Sequence, residues 1–418
     1  MRIPLLAAVA CLVLAAGSPP PPPAAPQASE SPWMKGLWLL ADGAYLRSLD
    51  SLQAAASKII DPEDYTYESL RRVRVMIGGY APPPPLTPNQ EPLSGEAAAK
   101  LRRAEAQDAL TAIVAAARGT SVVILNRSFG SPRGDAFALE VARALRPLGY
   151  NILALEAFYN DERYMKRLEQ DGFVRRSPNS DELNDPVLAD FVRQTVAAGY
   201  KPVAHQETGK QSSSVGPEWP RRWQAQAENL AALAKANPGH KLFVYVDFMQ
   251  VVEAPMPRSW GVIESMPFRF KKLTGIDPLT VEQTGVTEDV LYRPGREAWA
   301  LIAPRLRGPS VLKVDGRPFS IGAIARATDL QVVRPRVRFT NGRPDWLKLF
   351  GRRPSPVPPS LLPRSGRRLV QAFLAGEAED AIPVDQVLVE AGKPPLTMML
   401  PRGRIRFAVQ DPEPRPTP

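Results

Sequence analysis

From residue 121 onward, short apolar runs alternate with longer stretches of helical spacing. "VVIL" (122–125), "NILALE" (151–156), "KPVAH" (201–205) and "KLFVYVD" (241–247) are nearly continuous apolar runs, the pattern of parallel strands covered on both faces. Between them, "AFALEVARALRPL" (136–148), "DPVLADFVRQTVAAG" (185–199) and "PRRWQAQAENLAALAKAN" (220–237) place apolar residues at the helical period. This alternation predicts right-handed βαβ units. The four strands should be adjacent and parallel in one sheet, with the helices packed on its faces. "LTVEQT" (279–284), after the helix-like "FRFKKLTG", predicts a further strand. The fold class is therefore α/β, a mostly parallel sheet with helices on both faces.

The flanks have other rhythms. Residues 32–118 are predicted to be a helical prelude packed on the α/β region. Its two clearest pieces are "AYLRSLDSLQAAASKI" and "SGEAAAKLRRAEAQDALTAIVAAARG", the latter with Ser94 and Glu96 at its start and Gly119 past its end. The linker "APPPPLTPNQEP" separates them. Beyond residue 300 the pattern becomes irregular α+β. A strand–turn–strand is expected around Asp315-Gly316 and a turn at Asn341-Gly342. "RLVQAFLAGEAED" reads as helix, and "DQVLVE" and "RIRFAV" read as strands. The boundaries are residues 119–300 for the α/β core and 301–418 for a basic, proline-rich extension that wraps it.

Composition narrows the class. At 418 residues and 44% apolar content the chain can bury a substantial core. Its 46 prolines, about twice the usual share, cluster into spacers and loops. At the N-terminus, Arg2 precedes an apolar stretch from Ile3 to Ala16 that ends in small residues, the layout of a secretory signal. Residues 1–17 are accordingly expected to be a signal peptide and 18–31 a proline-rich spacer, placing the mature protein in the periplasm or outside the cell. About 14 apolar residues are too few to span a bilayer, which takes about 20. The only cysteine, Cys11, lies in this segment, so membrane attachment is expected only if Cys11 is lipidated.

The net charge of +10 is uneven: residues 331–418 hold 15 Lys/Arg against 8 Asp/Glu. The arginines are scattered among prolines, without the aromatic interleaving of a single-strand binder. A solvated basic surface facing an anionic envelope component is expected, and nucleic acid is not. The oligomeric state is left open.

With the strands parallel, the polar residues at their carboxyl ends fall into one crevice, where ligands of such sheets are held. Asn126 and Arg127 follow the first strand, Glu156 closes the second, His205 and Glu207 follow the third, and Asp247 closes the fourth. Arg133 lies in the loop "NRSFGSPRGD" after the first strand. A carboxylate ending an apolar strand must be hydrated, paired or coordinated, so Glu156 has two readings. Either it is a functional acid, or it is salt-bridged to Arg127 or Arg133. His205 reads first as a structural histidine and second as a catalytic one, and His240, at the opposite end of the sheet, is given no role.

These stretches, with "LADFVRQTVAAGYKPVAHQE" and "WQAQAENLAALAKANPGHKLFVYVDF", resemble the ChaN-like and erythromycin-esterase-like α/β superfamily over about residues 120–285. The resemblance implies a hydrolase crevice with Glu and His after the first strand, Glu after the second and a His after the fourth. This chain keeps Glu156, and also His205 and Glu207 beyond the third strand. It has Arg127 near the acidic position, Phe129 near the histidine and "DFMQ" (247–250) after the fourth strand. A fixed positive charge 4 Å from a bound cation costs roughly 4 kcal/mol at an effective dielectric of about 20. No metal or other cofactor is therefore expected.

Other chemistry is no better served. There is no G-x-S-x-G elbow, no cysteine nucleophile in the mature body and no Gly-rich phosphate loop. The serines of "GKQSSSVG" (209–216) lack an evident triad. Two expectations remain. The first is an exported, catalytically degenerate α/β protein that binds a small molecule or an anionic envelope component through Asn126, Arg127, Arg133 and Asp247. The second is an active hydrolase using Glu156, Glu207 and Asp247 as metal ligands or acid–base groups, with His205 close by.

Overall fold

The computed structural model describes residues 31–412 apart from 60–63, 80–85, 87–89, 129, 178–181, 213–217, 259–260 and 323. The segments expected as signal (1–17) and spacer (18–31, all but its last residue), with Cys11, Phe129 and part of the serine loop, lie outside the described residues.

The N-terminal region holds helices α1 (Pro32–Ala41), α2 (Tyr45–Ala56), α3 (Tyr65–Met76), α4 (Gly95–Arg103) and α5 (Ala109–Ala117). Ser94 caps α4, accepting from the Ala97 N–H. The expected single helix over 94–118 is interrupted by strand β1 (Glu105–Asp108). Asp108 then caps α5 by accepting from the Thr111 N–H. Both caps satisfy helix-start donors that have no partner within the helix.

The core follows the predicted alternation. Strand β2 (Val122–Arg127) leads to α6 (Pro132–Leu145), β3 (Tyr150–Leu155), α7 (Glu162–Asp171), α8 (Pro186–Ala197) and β4 (Lys201–Val203). Next come α9 (Gly209–Ser212), α10 (Glu218–Ala236) and β5 (Lys241–Asp247). A hairpin, β6 (Met256–Arg258) with β7 (Gly261–Ile263), precedes α11 (Met266–Thr274), β8 (Leu279–Glu282) and α12 (Arg293–Ile302). The sheet order runs β1-β9-β11-β8-β2-β5-β3-β4, with β9 (Ser310–Val314) and β11 (Leu330–Val333), and β10 (Arg317–Pro318) folding back on β9. From β11 to β4 every pairing is parallel; β9 is antiparallel to its neighbours. The four expected strands are thus adjacent and parallel, in the order first, fourth, second, third.

Alternate residues of the central strands point to opposite faces. Val123, Leu125, Leu153, Phe243 and Tyr245 pack with Ile113 of α5, Phe137 of α6 and Phe191 of α8. Val122, Ile124, Ile152, Val244 and Val246 pack with Trp223 and Leu230 of α10 and Phe270 of α11. Both faces are covered, which is why these strands read as unbroken apolar runs.

The region after residue 300 does more than wrap the core, since β9 and β11 are members of the main sheet. At the Asp315-Gly316 turn both residues have positive φ, 52° and 75°, as do Asn341 and Gly342 at 51° and 74°. These link β9 to β10 and β12 (Phe339–Thr340) to β13 (Arg343–Pro344). Beyond lie β14 (Arg353–Ser355), β15 (Arg367–Leu374), β16 (Asp385–Glu390), β17 (Met398–Leu400) and β18 (Ile405–Gln410). The expected helix in "RLVQAFLAGEAED" is instead β15, the centre of an antiparallel sheet β16-β15-β18. The N-terminal helices pack on that sheet: Leu369 of β15 joins Leu46, Leu49, Leu70 and Val73 of α2 and α3 in one cluster. Gln386 Nε2 donates to the Met76 carbonyl at 3.1 Å and Gln410 Nε2 to the Gly43 carbonyl at 2.7 Å.

Candidate functional site

Because β2, β5, β3 and β4 are parallel and in register, with Arg127 opposite Asp247, their carboxyl ends share one edge. All the predicted site residues lie there. They divide into two groups.

The first group surrounds Glu156, which immediately follows β3 and is buried. Its carboxylate accepts from Arg222 Nη2 at 3.0 Å, Gln226 Nε2 at 3.4 Å, Gln250 Nε2 at 2.5 Å and the Asp247 backbone N–H at 2.5 Å. Arg222 and Gln226 are four residues apart on α10, so they share a helix face. The ion pair expected with Arg127 or Arg133 is therefore made by Arg222. Gln206 bridges the group: its Nε2 donates to the Glu156 carbonyl at 2.7 Å, and its Oε1 accepts from Gln226 Nε2 at 2.8 Å.

Asp247 neighbours this carboxylate. Burial first, then the charge of Glu156, pushes its carboxyl up to about 7, against a hydrogen bond from the Phe248 N–H at 2.7 Å. His205 is fully buried, and that burial lowers its imidazole to about 4. Neither of its ring nitrogens has a hydrogen-bond partner among the described residues. The Glu207 carboxylate is paired with Arg221. Of the acidic residues proposed for catalysis, Glu156 and Asp247 are brought together and Glu207 is held apart in its own ion pair.

The second group lies at the end of β2. Arg127 is buried and ion-paired with Glu182 at 2.5 Å and Asp135 at 3.5 Å. Tyr245 donates its hydroxyl to Asp135 at 2.7 Å, and burial raises the Asp135 carboxyl to about 6 against the pull of Arg127. Arg127 thus belongs to a compensated cluster. Arg133 donates to the Pro335 carbonyl at 2.7 Å, tying the loop to the C-terminal region. Asn126 is buried and structural. Its Oδ1 accepts from the Gln283 N–H at 2.7 Å, and its Nδ2 donates to the Phe248 carbonyl at 2.9 Å and Thr284 Oγ1 at 3.1 Å. These bonds stitch β2 to the ends of β8 and β5. Gly130, at φ 68°, packs where a Cβ would lie 2.8 Å from Cγ of Arg72, so the loop needs glycine for both conformation and space.

Arg222, Gln226, Gln250, Asp135, Glu182 and Tyr245 are site residues that the sequence reading does not single out. One signal points to the first two: a helix that follows a parallel strand begins near the carboxyl edge, so the early polar residues of α10 belong beside the crevice. Nothing comparable marks Glu182. Among the described residues, no three His, Cys, Asp or Glu side chains converge as a metal site.

No family profile and no curated protein matches this chain. Among solved structures, the RRSP effector domain of a MARTX toxin from Vibrio vulnificus CMCP6 aligns at 15% identity, covering 57% of this chain and 54% of that one, with a TM-score of 0.32. The alignment thus spans about half of that protein. The C-terminal region of Pasteurella multocida toxin aligns at 11% identity over 57% of this chain and 29% of that one, TM-score 0.30. The type III effector HopBA1 aligns at 13% identity over 59% and 97%, TM-score 0.34. Likenesses of this size carry no argument about activity.

Proposed function

We propose that the chain is an exported bacterial envelope protein of ChaN-like or erythromycin-esterase-like descent, catalytically degenerate, that binds a small molecule or an anionic envelope component at or beside the strand-end crevice. The observation that carries this reading is the state of Glu156. Glu156, kept from the resembled pattern together with Glu207, is held by four donors, one of them the Arg222 guanidinium. A carboxylate so engaged is a poor metal ligand, because every new bond must displace an existing one. The Glu207 carboxylate is likewise engaged, by Arg221.

The test is elemental analysis of protein purified without chelator, alongside hydrolysis assays on simple esters and melting of Glu156→Ala. The expected results are no stoichiometric metal, no esterase turnover and a loss of about 1–3 kcal/mol in Glu156→Ala, as donors to a buried carboxylate lose their acceptor. About one metal per chain, lost in a folded Glu156→Ala, refutes the reading. Export has its own check: N-terminal sequencing after bacterial expression should place the mature start between about residues 11 and 24, and recovery of intact Met1 in the cytoplasm would count against it.

A second reading, an active hydrolase, is favoured by Asp247, whose carboxyl near 7 suits general acid–base work at neutral pH. It predicts ester or amide turnover that Asp247→Asn abolishes while the melting temperature is kept.

A further inference from the structure

A large cleft lies away from the strand-end crevice. It has a volume of about 720 Å³ and opens between the α7–α8 side of the core and the C-terminal strands. That volume is typical of small-molecule sites. Phe173, Phe350, Leu374 and Pro401 supply apolar wall, and Arg353 and Arg402 supply charge. None of the crevice residues lines it.

Its charges do not cancel. The three carboxylates in its walls already have cations: Asp171 accepts from Arg175 at 2.7 Å, Asp190 from Arg352 at 2.7 Å, and Glu377 from Arg193 at 2.6 and 2.9 Å. Arg353 and Arg402 are exposed, and neither has an acidic partner among the described residues. They are neighbours by strand pairing, since Arg353 of β14 lies opposite Leu400 of β17 and Arg402 comes two residues later. Two uncompensated guanidinium groups beside an apolar wall match an acidic head on an apolar body. The backbone leaves room for such a body. At Gly172, Gly351 and Gly376 an added Cβ would meet nothing within 4 Å.

We infer that this cleft is a binding site for a small anionic amphiphile, with Arg353 and Arg402 holding the acidic head and the Phe173–Phe350–Leu374 wall taking the apolar body. The inference is independent of the degenerate-crevice reading.

The test is fluorescence titration of the full chain with anilinonaphthalene sulfonate, with uncharged N-phenylnaphthylamine as the comparison. The wild type should bind the sulfonate saturably at one site. Arg353→Gln/Arg402→Gln should weaken the sulfonate about tenfold, the worth of a charge-assisted contact, and leave the neutral probe unchanged. Gly376→Leu, at a position with open space and no positive φ, should weaken both probes while cooperative melting is retained. Competition identifies the body: displacement by dodecanoate indicates an acyl ligand, and displacement by naphthoate an aromatic one. Absence of saturable binding, sulfonate affinity unchanged in the double arginine variant, no effect of Gly376→Leu, or displacement by neither acid would each overturn the assignment.

Discussion

Asp247 and His205 both feel the charge of Glu156 and pull stability in opposite directions with pH. The Asp247 carboxyl, raised to about 7 by burial and then by Glu156, holds its proton more tightly in the folded chain than in the unfolded one. Its contribution is full below the ordinary carboxylate range and is lost as pH rises through 7. The imidazole of His205, lowered to about 4 by burial, contributes fully above about 6.5 and loses that contribution as pH falls toward 4. Both dependences fall in the same window, between about pH 4 and 7, so in urea denaturation across this range they should largely offset each other. Asp247→Asn, which mimics the protonated acid, should leave the His205 dependence alone, with stability rising from about pH 4 to 6.5, and His205→Gln should leave the Asp247 dependence alone, with stability falling from about pH 4 to 7. An unchanged profile in both variants would mean that other groups set the dependence. The sequence makes these residues legible as strand-end polar groups. It does not disclose their partners, because a strand run shows where a carboxylate ends up but not which face of which helix closes over it. That is why the sequence suggests Arg127 or Arg133 as the cation for Glu156, while the molecule uses Arg222.

Among elements, the strands buried on two faces are the easiest to find and also the easiest to mistake. β2, β3 and β5 stand out because helices of matching length separate them. β15 is just as apolar: Leu369 faces the N-terminal helices, while Val370 and Ala372 join Val387 and Met398 in a separate cluster. With both faces buried it loses its alternation, and a short apolar run without alternation cannot be told from a buried helix by period alone. β1 is hidden differently, as four mostly exposed residues between two alanine-rich helices, where helix propensity outvotes a tertiary pairing with β9. The joints between elements carry measurable energy. Asn126 holds β2, the end of β8 and the turn after β5 together, so Asn126→Ala should cost about 2–3 kcal/mol by stranding the Gln283 N–H and the Phe248 carbonyl. In denaturant the midpoint should move at constant m-value. A shift within about 0.5 kcal/mol, the range for surface sites, would mean that the joint is redundant.

At the scale of the whole molecule, the boundary at residue 300 separates patterns and not folding units. β11 pairs with β8, β9 pairs with β1 and β11, and the N-terminal helices share a core with β15. A chain truncated after Pro304 would lose both strands and the sheet that covers α1–α3. It should show no cooperative thermal transition and should bind hydrophobic dyes diffusely, as a loosely packed state does. A sharp melt from that fragment would restore the picture of a separable extension. Gly43 is hydrogen-bonded to Gln410, and Met76 to Gln386, partners 367 and 310 residues apart. A ribosome releasing this chain exposes the apolar faces of α1–α3 long before it makes β15–β18, their cover. Contacts closed over such long loops also form slowly. These helices must therefore wait uncovered through that interval, which makes them natural clients for a chaperone and makes synthesis of β15–β18, not of the helices, the event that commits this part of the chain to fold.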